Sequence, residues 1–97
     1  MNELDKIKHA LRRNKSALKR QFKVKALGVF GSYVRGKQTK NSDVDILVEF
    51  SQTPGLFDYV RMENRLSSIL KKRVDLVMKG SLKPTIGKYI MREVVYV

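Results

Sequence analysis

Two apolar runs limit what this chain can fold into: "VKALGVF" over residues 24–30 and "DVDILVEF" over residues 43–50. Both are short, rich in β-branched and aromatic residues and bounded by turn-forming stretches, so both are expected to be strands. The first runs straight into Gly31-Ser32, a sharp turn. The second opens on Asp43 and Asp45 and carries Val44, Ile46, Val48 and Phe50 on its other side. Strand residues alternate faces, so the two aspartates point the same way. Two carboxylates that close repel, and one takes up a proton unless something compensates.

The rest of the chain supplies helices and a third strand. Leu4, Ile7, Leu11 and Leu18 fall at helical spacing and predict an amphipathic helix over 3–20. "SYVR" is a brief helix ended by Gly36, and "GKQTKNS" is a polar loop. Leu56, Phe57, Val60, Leu66, Ile69 and Leu70 predict a second amphipathic helix over 56–71, "RVDLVM" (73–78) a third strand, Pro84 the first turn of a short helix, and "REVVYV" a final edge strand. Helices alternating with strands in so short a chain imply an α+β fold: a small mixed sheet of three to four strands with helices packed on one face. No repeat, linker or low-complexity segment interrupts it, so residues 1–97 are expected to form one domain.

Charge and cysteine usage narrow the function. The chain has 21 Lys and Arg against 9 Asp and Glu, a net charge of +12, and residues 1–25 hold much of the excess. Such a surface attracts anions: nucleotides, nucleic acid or an acidic partner. Most of these cations are read as a solvated helix face, and no aromatics interleave with them as a single-strand nucleic-acid platform requires. With no cysteine, a disulfide scaffold and a Cys-based zinc site are excluded, which agrees with a cytoplasmic setting. The N-terminus has no apolar stretch of signal-peptide type, and no run is long enough to span a membrane.

The chemistry lies in the spacing. The least costly compensation for Asp43 and Asp45 is a divalent cation, and Mg²⁺ takes hard oxygen ligands from carboxylates, phosphates and water. Asp75 sits inside the third apolar strand. If that strand lies beside the second, three carboxylates converge as a two-metal phosphoryl-transfer site needs. The Gly31-Ser32 turn leaves a strand and starts a helix, so its backbone N–H groups are ready for phosphate, with the Ser32 hydroxyl and the Arg35 guanidinium as further donors. Each piece alone is common in turns, caps and ion pairs; their combination is specific.

These residues, "GS" at 31–32 followed by "DVD" at 43–45, resemble the signature of the DNA polymerase β-like nucleotidyltransferase superfamily. The fuller set, "FGSYVRG…NSDVDILVEF", "KRVDLV" and "REVVYV", resembles the minimal nucleotidyltransferases. Val34 stands where alanine is usual in that group. The resemblance implies the nucleotidyltransferase core fold. It implies that Asp43 and Asp45 bind two Mg²⁺ ions, with Asp75 as third carboxylate on the catalytic metal, and that Gly31, Ser32 and Arg35 hold the nucleotide triphosphate. It also implies an activity: AMP transfer from ATP onto a tyrosine of a HEPN-type toxin, with this chain as antitoxin. Two rivals stand beside it, a non-catalytic nucleotide-binding module that neutralises a partner by contact, and a nucleotidyltransferase acting on RNA.

Other residues are expected to be structural. His9 is read as a surface residue and Asp58 as a helix-start acid. Glu49 lies outside the site, and Lys37 and Lys40 are solvated. Tyr33, Phe57, Tyr59 and Tyr89 are read as packing residues, Tyr33 being the one placed beside the nucleotide by its neighbour Ser32.

Overall fold

The Asn2 side chain accepts a hydrogen bond from the Asp5 N–H at 2.8 Å and caps the first helix, α1 (Glu3–Phe22). Glu3 and Asp5 sit in its first turn and Lys19 and Arg20 in its last, the charge order a helix dipole favours. The computed structural model describes all residues from 1 to 97. α1 runs two residues beyond the expected end because Phe22 is buried with Ile7, Leu11 and Leu18. Lys23, at a left-handed φ of 58°, then turns the chain into strand β1 (Val24–Phe30).

A four-residue helix, α2 (Ser32–Arg35), follows and ends at Gly36, which adopts φ 71°. After the polar loop come β2 (Val44–Phe50), α3 (Leu56–Leu70), β3 (Val74–Met78), a 3₁₀ turn at Lys79–Ser81, α4 (Pro84–Glu93) and the two-residue β4 (Val95–Tyr96). The sheet order is β3-β2-β1-β4. β1 pairs antiparallel with both β2 and β4, and β2 pairs parallel with β3. A parallel pair needs a long crossover, which α3 provides.

The main core lies between the sheet and the two long helices. Leu27 and Val29 of β1, Val44, Ile46 and Val48 of β2, and Leu76 of β3 meet α1 and the fully buried Met62 and Leu66 of α3. Burying a side chain of this size stabilises by about 1.5–3 kcal/mol. The opposite face of the sheet is not bare, as the sequence implied. Phe30, Leu47 and Ile90 form a second, smaller cluster, which brings α4 against that side. The reason is β2 itself: its odd-numbered positions include an apolar residue, Leu47, between Asp45 and Glu49, and that residue needs cover.

Three expected packing residues are elsewhere. Leu56, Phe57 and Val60 are 75%, 83% and 44% exposed, because the buried stripe of α3 begins at Tyr59 and runs through Met62, Leu66 and Leu70. Tyr89 on α4 is 68% exposed. No helix is long and apolar enough to cross a membrane.

Candidate active site

The site forms where β1 ends and β2 and β3 begin. Gly31 leaves β1 with φ 82° and ψ −153°, a conformation open essentially to glycine alone. A Cβ there would also overlap Asp45 Oδ2. Gly31 is therefore required twice over: by its own backbone, and by the Asp45 carboxylate resting against it. Phe30, one residue earlier, is the register partner of Asp45 on β2.

Parallel pairing of β2 with β3 sets Asp45 opposite Asp75. Adjacent strands lie about 4.8 Å apart, so the two side chains start side by side on the same face. The Asp45 carboxylate has no hydrogen-bond or ion-pair partner. Its carboxyl is pushed up from 3.8 to about 6, first by burial, then by the charges of Asp75 and Asp43 and, less, Glu93, with Arg35 opposing. Asp75 is exposed on the edge strand and also unpaired. β3 is held at that edge from α3: Glu63 Oε2 accepts the Leu76 N–H at 3.0 Å, and the Tyr59 hydroxyl donates to the Leu76 carbonyl. Burial, followed by the charges of Glu63 and Asp75, raises the Tyr59 phenol, so it stays a donor. The two contacts satisfy edge groups that would otherwise be open and fix the residue next to Asp75.

Asp43 just precedes β2, and unlike the other two aspartates it is paired: Arg73 Nε lies 3.0 Å from Asp43 Oδ1, and Arg73 also donates to the Asn41 carbonyl. The three aspartates thus share one corner without closing into a single cluster. The donor set fits a hard divalent cation. It offers three carboxylates, two of them unpaired, with the Asp45 carboxyl raised first by burial and then by its acidic neighbours.

The anion-binding half holds a feature the sequence reading missed. Glu93, at the end of α4, accepts the Gly31 N–H with Oε2 at 2.6 Å. Arg35 Nη1 donates to both of its oxygens, at 3.0 and 3.1 Å. A trace of this was visible, since Glu93 is the one acid after Asp75 in a basic C-terminal segment. Ser32, partly buried at the start of α2, follows Gly31 directly. A cavity of about 560 Å³ opens here, lined by Phe30, Gly31, Arg35 and Asp45 and walled by Ile86, Tyr89, Ile90 and Glu93 of α4. Another of about 560 Å³ lies at the far ends of β2 and β3 around Glu49 and Lys79; it has none of this convergence of charge.

Other residues fall as follows. Tyr33 is buried in the main core, with Lys72 Nζ 6.0 Å from its ring centre, so it points away from the cavity. His9, Lys37 and Lys40 are exposed. Asp58 pairs with Arg61 in the first turn of α3, and Glu49 lies 4.0 Å from Lys79.

The sequence pattern of the nucleotidyltransferase domain matches residues 11–97. The chain is 50% identical to the protein adenylyltransferase MntA of Thermococcus cleftensis, over all of this chain and 98% of that one. Among solved structures, one described provisionally as a minimal nucleotidyltransferase superposes with a TM-score of 0.74 at 30% identity, covering 92% of this chain and 93% of the other. A toxin–antitoxin crystal structure with AMP-PNP gives a TM-score of 0.70 at 30% identity, over 99% of this chain and 72% of its own.

Proposed function

This chain belongs to the nucleotidyltransferase-domain family and is a nucleotidyltransferase; we propose that, as one domain over residues 1–97, it transfers AMP from ATP to a tyrosine hydroxyl of a partner protein. The partner is a HEPN-type toxin and this chain its antitoxin, acting in the cytoplasm. The observation that carries the reading is the register of Asp45 with Asp75 beside the Gly31 turn. The adenylyltransferase relative and the toxin–antitoxin structure with AMP-PNP support the choice of AMP and of a protein acceptor.

In this reading Gly31, Ser32 and Arg35 hold the triphosphate. The Gly31 N–H and the Arg35 guanidinium already hold one carboxylate, so the pair is arranged for an anion with more than one oxygen. Asp43, Asp45 and Asp75 would hold two Mg²⁺ ions, which when bound would offset charge at the transferring phosphorus and lower the pKa of the attacking hydroxyl. Arg73 holds Asp43 through Oδ1 alone, which leaves Oδ2 for a cation, and the exposed pair costs little to break. The acceptor oxygen forms a bond to Pα, the bond from Pα to the β-phosphate oxygen breaks, and pyrophosphate leaves. Asp75, exposed on the edge strand, receives the acceptor hydroxyl and its proton. Nothing in the arrangement favours RNA over a protein acceptor.

The test is intact-mass analysis of a HEPN-type protein from the same organism after incubation with this chain, ATP and Mg²⁺. Addition of AMP is expected with the wild type and is lost with Asp43→Asn/Asp45→Asn or with Asp75→Asn, while partner binding persists. Undiminished transfer by the double variant sinks the carboxylate site, and an inhibited but unmodified partner points to the contact module.

A further inference from the structure

We propose that Glu93 is a positioning residue that occupies the phosphate cradle of the empty enzyme and is exchanged for the nucleotide triphosphate, so that ATP binding unlatches the C-terminal end of α4. This rests on the reading that the triphosphate is held by Gly31, Ser32 and Arg35.

The geometry leaves no room for both anions. Gly31 has one N–H, and its 2.6 Å bond to Glu93 Oε2 uses it. Arg35 Nη1 is committed to both Glu93 oxygens. A phosphate taking the same donors must displace the carboxylate, because the donors are finite and two anions in contact repel. Glu93 also adds its charge to a corner that already holds Asp43, Asp45 and Asp75, with Arg35 the cation beside it.

The exchange is cheap in both directions. The Arg35 side chain is 52% exposed and Glu93 23%, so solvent screens the pair from the Arg35 side, and an incoming phosphate offers the freed donors a new acceptor. α4 is lightly anchored, with Ile90 its one buried residue, and β4 adds only the pairings of Tyr96 with Gly28 and Val95 with Val29. Glu93 lies between those two anchors. In the empty enzyme it keeps Arg35 drawn toward Gly31 rather than free in solvent. On release, the last turn of α4 is free to shift, and with it the wall of the cavity that Ile86 and Tyr89 line.

The experiment measures the binding of AMP-PNP with Mg²⁺ to the full chain by calorimetry. Glu93→Gln keeps the shape and removes the charge, and is expected to tighten binding by about 2- to 5-fold. In the transfer assay KM for ATP falls while kcat changes less. Hydrogen exchange at the amides of residues 91–96 is expected to quicken on nucleotide binding in the wild type, and to be fast already in Glu93→Gln. Arg35→Met separates the two levels of the argument. If it weakens binding and Glu93→Gln does not tighten it, the phosphate site stands and the exchange is wrong. If Arg35→Met leaves binding unchanged, the phosphate site itself is misplaced and the exchange falls with it. If Glu93→Gln fails to fold, the wild type still decides: no change in exchange at residues 91–96 on adding inorganic triphosphate overturns the proposal.

Discussion

Replacing Asp45 with asparagine is expected to stabilise the metal-free protein while abolishing nucleotidyl transfer. The carboxyl is raised from 3.8 to about 6 by burial and by neighbouring acids, so the folded chain binds that proton more tightly than the unfolded chain does. The stabilisation from the proton is therefore complete below pH 3.8 and is lost as pH rises through about 6. Near neutral pH the wild type carries a charge that the fold disfavours, and the asparagine variant does not. A displacement of this size is on the order of 100-fold in proton affinity, about 3 kcal/mol for a dry site; solvent reaches this partly buried group, so the working figure is about 1 kcal/mol. In a chain of 97 residues that corresponds to about 4–8 °C in Tm. The assay is thermal unfolding followed by circular dichroism in EDTA, between about pH 4 and about pH 8. The two proteins should melt together at the acid end and separate as pH rises, the variant higher. Mg²⁺ should raise the wild type and narrow the gap, since a ligand that binds only the folded state stabilises it. A variant that melts at or below the wild type at every pH refutes the reasoning, because Asp45 would then be making a favourable interaction that the geometry does not contain.

Two further substitutions test the surroundings. Gly31→Ala forces a side chain into φ 82° and against Asp45 Oδ2, so a loss of about 1–3 kcal/mol in denaturant unfolding is expected, together with loss of transfer; an active, fully stable variant would contradict the described turn. On α3, Leu66→Ala is expected to cost about 2–5 kcal/mol, whereas Phe57→Ser, at a position 83% exposed, should change stability by less than about 0.5 kcal/mol. Comparable losses at both positions would mean that the helix is rotated from its described orientation.

Local patterns were legible wherever one segment sufficed to specify them. The run at 24–30 is β1 to the residue, Gly36 ends α2 in the left-handed conformation the sequence anticipated, and α3 starts at Leu56 as its spacing implied. Strand periodicity led to Asp43 and Asp45 on one face, but β2 begins at Val44 and Asp43, one residue before it, pairs with Arg73. The mixed α+β sheet was legible for a related reason, since alternating short apolar runs and amphipathic helices have few ways to bury their faces. Exposure was harder to read. Phe57 and Tyr89 are apolar enough for a core, but burial depends on what another element covers, and neither has a covering element.

By itself, then, the sequence determined where most strands and helices lie and that two carboxylates must be held together near a glycine turn, though it put Arg92 and Glu93 in a final strand, whereas they close α4 and only Val95–Tyr96 pair with β1. Only the tertiary structure decided that β2 and β3 run parallel with Asp45 opposite Asp75, that Asp43 turns to Arg73, that α4 covers the second face through Ile90, and that Glu93 reaches back across 62 positions to Gly31. The physical reason is the range of the forces involved. Backbone periodicity, capping and the steric freedom of glycine act within a few residues and leave a mark on local sequence. Strand register and long-range ion pairs are settled by how the whole chain closes over its core, and a residue such as Glu93 carries no local sign of the partner it will meet.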